Sequence, residues 1–253
     1  MSNIKYSLCL QNGQVMINDS LCSTNVYIMD GRISSISDKK LDSEKTIDCT
    51  NLTVLPGVID SQVHFREPGL EGKENLESGM LAAVSGGVTS IFEMPNTNPL
   101  TITPETIQDK LNRASKGAWT DYAFYLGGTM RTSSNLSEWE NLKGVCGIKI
   151  FMGVSTGTLL VSDKVALEKI FTETAGLIAV HAEDEDRMNE RRKLVEGRTD
   201  VAAHAYYRDD ITALLATKLS VELAIKTGHR LHILHLTSGI EADYLADYCK
   251  LPS

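Results

Sequence analysis

At 253 residues the chain is long enough for one large domain or two small ones. With 42% apolar and 23% charged residues it has the composition of an ordinary globular protein, and a formal net charge of −8 argues against nucleic acid or an anionic membrane surface as its partner. No apolar run approaches the roughly 20 residues that span a bilayer. The start, Met1 to Tyr6, lacks the charged head and apolar stretch of a signal peptide. Five scattered cysteines (Cys9, Cys22, Cys49, Cys146 and Cys249) form no C-x-x-C pair, which points to reduced thiols in a cytoplasmic protein.

Residues 1–52 read as short strands and turns, a small β-domain. Asn12-Gly13 and Asp30-Gly31 are hairpin-turn dipeptides, the second flanked by the strand-like segments 25–29 and 32–36. From Thr53 the rhythm changes, and apolar strand-like runs at 54–65, 87–95, 122–128, 145–152, 177–181 and 230–236 alternate with amphipathic stretches. Thr103-Pro104-Glu105 is a helix start, with its helix expected to reach about Lys116. Ser162-Asp163 opens another that ends near Gly176, and a long helix covers Asp209 to Thr227 before Gly228. Strands that are apolar throughout and alternate with helices imply a parallel sheet covered by helices. Six strand–helix units are counted over 53–253, whereas a closed (β/α)8 barrel has eight in about 250 residues. The expectation is an α/β fold, either an open sheet or an incomplete barrel, whose bare edge and apolar surface would favour self-association.

The residues at the strand ends carry the chemistry. There are six histidines, and three of them, His64, His181 and His235, fall at the C-terminal ends of the first, fifth and sixth strand candidates. In a barrel these ends converge on one mouth, and three imidazoles there suit Zn²⁺ or a similar ion. Each alone reads equally as a histidine satisfied by a local hydrogen bond. Lys149 ends the fourth strand among apolar neighbours. Burial would leave it a neutral amine able to capture CO₂ as a carbamate; the alternative is a lysine that snorkels to solvent. His204 fits a substrate loop or a helix contact. His232, three residues before His235, should face the opposite side of its strand and pack, and His229 follows Gly228 in an exposed turn. Glu183 and Asp184 read as solvated residues at a helix start, with a role in supporting His181 as the other option. Trp119 and Trp139 are expected to pack.

The segments Val54-Leu55-Pro56-Gly57-Val58-Ile59-Asp60 and His64-Phe65-Arg66-Glu67-Pro68-Gly69 resemble the first-strand signature of dihydroorotases, metal-dependent cyclic amidohydrolases. Glu93-Met94-Pro95-Asn96-Thr97-Asn98-Pro99 resembles their second-strand signature, and the likeness runs from about Leu52 to Ser238. The resemblance implies a (β/α)8 metal-dependent hydrolase barrel with an N-terminal β-sandwich portion over 1–52. It also implies Zn²⁺ held by His64, Lys149, His181 and His235, with a CO₂-derived carbamate on Lys149. Arg66 and Asn96 would hold the carboxylate of dihydroorotate, the arginine by a bidentate pair; the competing reading of Arg66 is a surface ion pair with Glu67 or Glu71. The implied reaction is reversible metal-assisted hydrolysis of dihydroorotate to carbamoyl aspartate, in a homo-oligomer.

The sequence departs from the family in two places. Gln62 stands where the D-x-H-x-H motif has its first histidine, so one metal is expected to be held firmly and a second weakly or not at all. The chain stops at Ser253, after the sixth unit, so the family's catalytic aspartate is expected beyond it. These departures keep two alternatives open. One is a hydantoinase- or allantoinase-like enzyme, against which the Arg66 motif speaks. The other is a catalytically silent relative that partners aspartate transcarbamoylase.

Overall fold

A computed structural model describes residues 5–153 and 158–248; Cys249 lies outside them. Contacts divide the chain into two compact units, Met1–Val58 and Ile59–Ser253. In the first, β1 (Tyr6–Ile17), β2 (Ser20–Met29), β3 (Arg32–Ser37), β4 (Ser43–Asp48) and β5 (Thr53–Val54) form one mixed sheet in the order β3-β2-β1-β4, with β5 also on β1. Asp30-Gly31 closes the β2–β3 hairpin with both residues at positive φ, 52° and 73°, as a two-residue hairpin turn requires.

Asn12-Gly13 does not close a hairpin. Strand β1 runs through it with a register shift between Leu10 and Gly13, and the β1–β2 turn falls at Asn18-Asp19 instead. Long-range contacts decide this. The Asn12 amide N–H donates to Asn25 Oδ1 (2.9 Å), and a Cβ on Gly13 would sit 2.8 Å from Val54 Cγ2. The glycine is needed for the close approach of β5, not for a turn. The run expected as one strand from Val54 to Phe65 is likewise two. Thr53–Val54 pairs with β1, Pro56 cannot donate to a ladder, and β6 begins at Val58.

The second unit alternates strands and helices: β6 (Val58–Val63), α1 (Leu76–Ser85), β7 (Val88–Glu93), α2 (Pro104–Ala114), β8 (Asp121–Gly127), α3 (Leu136–Trp139), β9 (Val145–Phe151), α4 (Lys164–Glu173), β10 (Ile178–His181), α5 (Glu185–Arg192), α6 (Ala202–Tyr207), α7 (Asp210–Thr227), β11 (Leu231–Ile233) and α8 (Gly239–Ala246). The spatial order of β6 to β11 is the chain order, and the pairs from β7 through β11 are parallel. A sheet wound in one direction without reversal is that of a (β/α) barrel, here with six of the eight strands. Side-chain caps start the helices where the sequence signals stand: Thr103 accepts from Thr106 N, Asp163 from Ala166 N and Asp209 from Thr212 N. Gly228 ends α7 at φ 72°, the left-handed position that glycine adopts without cost.

Strand alternation sorts the core. Ile91, Phe124, Leu126, Ile148, Ile150, Ile178 and Val180 are fully buried in a cluster with helix residues such as Met80, Ile107, Leu167 and Phe171. The opposite parity gives a second cluster, Met94, Tyr125, Ala179 and Leu234, and Lys149 belongs to this face because it is paired in register with Ala179. Two expectations fail here. Trp119 does not pack but is 54% exposed, whereas Trp139 lies against the core. His229 is not a free turn residue: its Nε2 lies 2.6 Å from the Thr174 carbonyl oxygen, and its ring meets Phe171 edge-on. Among the described residues no helix is long and apolar enough to cross a membrane, and Cys9, Cys22, Cys49 and Cys146 are free.

Candidate active site

His64 follows β6 directly, and its Nδ1 lies 2.8 Å from the side-chain oxygen of Asn96, beyond the end of β7. An amide oxygen only accepts, so His64 Nδ1 carries the proton and Nε2 presents a lone pair. The two motif loops are locked together. Asn98 N donates to the Pro68 carbonyl (2.9 Å), and Gly69, at φ 89°, lies so near Asn98 that a Cβ would meet its oxygen at 2.0 Å. Burial pushes the His64 imidazole down, to about 4; the hydrogen bond to Asn96 opposes this, and the positive charges of Arg66 and Lys149 add to the fall.

Arg66 is half-buried and sits at φ 66°, a left-handed conformation uncommon for a side-chain-bearing residue and frequent at functional sites. Neither carboxylate that could neutralise it locally does so. Glu67 accepts from Leu76 N (2.9 Å) and pairs with Arg113 (3.3 Å), and Glu71 lies 4.0 Å from the same Arg113. Among the described residues Arg66 forms no ion pair, so its expected alternative, a surface pair with Glu67 or Glu71, is not what the structure contains. Gln62 shares β6 with Asp60, whose carboxylate accepts the Gln62 backbone N–H (3.0 Å).

Lys149, on β9, is 1% exposed. Its Nζ donates to the Ile150 carbonyl (3.1 Å) and lies 4.2 Å from the centre of the Phe151 ring, and no carboxylate among the described residues pairs with it. It does not snorkel. Burial lowers its pKa well below the ordinary lysine value, which favours the neutral amine. In the sheet order its strand, β9, stands between β6 and the β10–β11 pair that carry or precede the three histidines.

The other end of the site joins β10 and β11. His181 Nδ1 and His235 Nε2 are 2.9 Å apart. His235 lies two residues past β11, at φ 38°, and this left-handed turn swings it to His181 where strand parity alone would send it to the side opposite Leu234. Burial pushes the His235 imidazole down to about 4, helped by the charges of His181 and Lys149. Glu183 is the residue that sequence reasoning undervalued. It does not lie solvated at a helix start; it accepts from His181 Nε2 at 2.5 Å. Arg208 holds it as well, with Nε 2.7 Å from one carboxylate oxygen and a second contact to the oxygen that His181 meets. Burial pushes the Glu183 carboxyl up, but the hydrogen bonds from Arg208 and His181 more than offset this and hold it down at about 2. Asp184, by contrast, is the cap of α5 and accepts from Arg187 N. His204, on α6, bonds Arg208 (3.1 Å) and lines a cavity of about 570 Å³ with His181, Glu183, Arg208 and His235. Arg208 had no motif to announce it, since it is 25 residues from Glu183 in the chain.

With Nε2 of His181 donating to a carboxylate, its Nδ1 holds the lone pair that faces His235. Two imidazoles converging near a buried amine that no carboxylate among the described residues neutralises are a donor set of the kind Zn²⁺ accepts. Among the described residues no three His, Cys, Asp or Glu side chains gather closely enough to hold a metal ion by themselves.

Residues 53–241 match the amidohydrolase family. The chain belongs to this family. It is 30% identical to a dihydroorotase of Methanosarcina acetivorans over 233 residues, 90% of this chain and 50% of the relative. It is also 34% identical to an allantoinase of Solibacter usitatus over 239 residues, 91% of this chain and 52% of the relative. Among solved structures it resembles an L-hydantoinase (dihydropyrimidinase) of Arthrobacter aurescens with a TM-score of 0.89 at 25% identity, covering 96% of this chain and 55% of that one. The chain thus spans about half the length of the curated relatives it matches. A dihydroorotase, an allantoinase and a hydantoinase are thus all similar to this chain, and the likeness settles the family and not the substrate.

Proposed function

We propose that this chain carries the metal-binding and carboxylate-binding residues of a dihydroorotase-type site, which opens and closes the ring amide between dihydroorotate and carbamoyl aspartate. The observation that carries this reading is Arg66. A half-buried guanidinium beside His64, with both nearby glutamates taken by Arg113, is suited to a bidentate carboxylate partner. Dihydroorotate has a ring carboxylate; allantoin and unsubstituted hydantoin have none. The amide nitrogen of Asn96, whose oxygen is engaged by His64, is left to donate to the same group.

His181, His235 and Lys149 would hold the firmly bound ion, and His64 with Gln62 a weaker second one. The chemistry that Zn²⁺ supplies when bound is Lewis acidity toward water and the ring carbonyl. Lys149 would serve as a carbamate: its neutral nitrogen attacks the carbon of CO₂, an N–C bond forms as one C=O π bond gives its electron pair to oxygen, and one N–H proton is released. In hydrolysis a water oxygen bonds to the ring carbonyl carbon, the C–N bond breaks, and the ring nitrogen takes a proton. Glu183 and Arg208 orient His181 throughout.

The deciding experiment compares carbamoyl aspartate, allantoin and hydantoin as substrates of the chain purified with Zn²⁺ and bicarbonate, with Arg66→Lys alongside. Turnover of the carboxylate substrate alone, weakened in KM by Arg66→Lys, is the expected result. Turnover of allantoin or hydantoin unaffected by that substitution would replace the dihydroorotase reading with its relatives. The glutamine at 62 supports a second reading, a catalytically silent partner of aspartate transcarbamoylase, which predicts neither stoichiometric zinc nor turnover.

A further inference from the structure

One buried charged pair in the barrel has no part in the scheme above. Glu93, the last residue of β7, and Lys110, on α2, form an ion pair with both side chains 1% exposed. Replacing such a pair with apolar residues of similar volume is often neutral or stabilising, so stability alone is a weak reason for it. Its remaining contacts are specific. Lys110 Nζ also donates to the Met94 carbonyl at 2.9 Å, two residues before Asn96. The Phe65 backbone, between His64 and Arg66, acts on the Glu93 carboxylate and favours its charged form. Met94 N donates to the Val63 carbonyl (3.0 Å), closing the connection between the two strand ends.

We propose that the Glu93–Lys110 pair is a positioning device that fixes the His64–Arg66 loop and the Met94–Asn96 loop against each other, and so sets the geometry of the substrate-carboxylate residues Arg66 and Asn96. The assignment of those two residues rests on the function proposed above; the positioning itself is read from the contacts of the pair. Arg66 sits at φ 66°, where a side-chain-bearing residue needs outside support, and the tie between Met94 and Val63 holds the strand end from which its loop leaves. The same frame holds the His64–Asn96 hydrogen bond that sets the His64 tautomer.

The test is the double variant Glu93→Leu with Lys110→Met, which removes both charges and keeps the volume. Three readouts are taken: the melting temperature, the His64 ring-nitrogen tautomer by ¹⁵N NMR, and the dissociation constant for dihydroorotate. We expect a melting temperature within a few degrees of the parent, a mixed His64 tautomer in place of the Nδ1-protonated one, and dihydroorotate binding weaker by about tenfold or more. An unchanged His64 tautomer in the folded double variant overturns the proposal and leaves the pair a packing feature. If the double variant does not fold, Lys110→Arg decides by the same NMR signal, since it keeps the charge but displaces the donor from the Met94 carbonyl. If the parent does not bind dihydroorotate, the functional reading fails on its own, and the His64 signal still decides whether the pair positions the loops.

Discussion

The two ends of the site hold their histidines in opposite ways. At the β6–β7 end, His64 is held by a neutral amide, that of Asn96, and the surrounding charge is either fully buried, as in Glu93–Lys110, or half-exposed, as in Arg66. At the β10–β11 end, His181 is held by a carboxylate, Glu183, itself gripped by Arg208. An amide fixes a tautomer and raises the basicity of the imidazole only modestly, whereas a negatively charged carboxylate raises it more. The contrast suits an end that meets substrate and an end that grips a metal ion.

Substitutions can break or sharpen that contrast. The largest effect is expected from Lys149→Met, which removes the buried amine between the two ends: zinc-dependent turnover should be lost, along with any ¹³C-carbamate signal after labelling with bicarbonate. Glu183→Gln should weaken zinc binding by roughly 10–100-fold, measured by competition with a chelating dye, while Asn96→Ala should leave it nearly unchanged. Equal losses from the two would mean that the ends do not divide the work as described.

Acid should separate the ends as well. The Glu183 carboxyl is held at about 2, below its ordinary 4.5. A carboxyl lowered on folding contributes stability that is fully present above pH 4.5 and lost as the pH falls toward 2. The melting temperature of the parent should therefore drop further across that window than that of Glu183→Gln; parallel curves would count against a structural role for the Glu183–Arg208 contact. At the other end, Gly79→Ala places a Cβ 2.5 Å from the Phe65 ring and should cost about 1–3 kcal/mol in urea denaturation, with a measurable shift of the His64 resonances. The smallest effect is expected from Arg113→Ala. Its side chain is 36% exposed, so loss of the Glu67 contact should cost less than about 1 kcal/mol, although Glu67 is then free to compete for Arg66.

Much of this was legible in the residues. The capped starts at Thr103, Asp163 and Asp209, the left-handed stop at Gly228 and the Asp30-Gly31 turn are local signals, and each stands where the chain writes it. Local signals failed where a distant segment competed. Asn12-Gly13 has turn chemistry, yet Val54 and Asn25 hold it within a strand. Pro56 divides a run that hydropathy alone joins. Glu183 looked like a helix-start acid because its partners, His181 and Arg208, lie on different elements.

By itself, then, the sequence determined the alternation of strands and helices, the place of Lys149 within an apolar strand, and the placing of histidines at strand ends. These follow from periodicity and capping within a few residues. Only the tertiary structure decided that Lys149 is buried rather than snorkelling, that His235 turns back at a positive φ to reach His181, that Arg113 draws Glu67 and Glu71 away from Arg66, and that Lys110 meets Glu93 between the sheet and α2. Those pairings join residues that the chain keeps 17 to 54 positions apart, and which partner a charged or polar group finds over such separations is set by the packing that surrounds it.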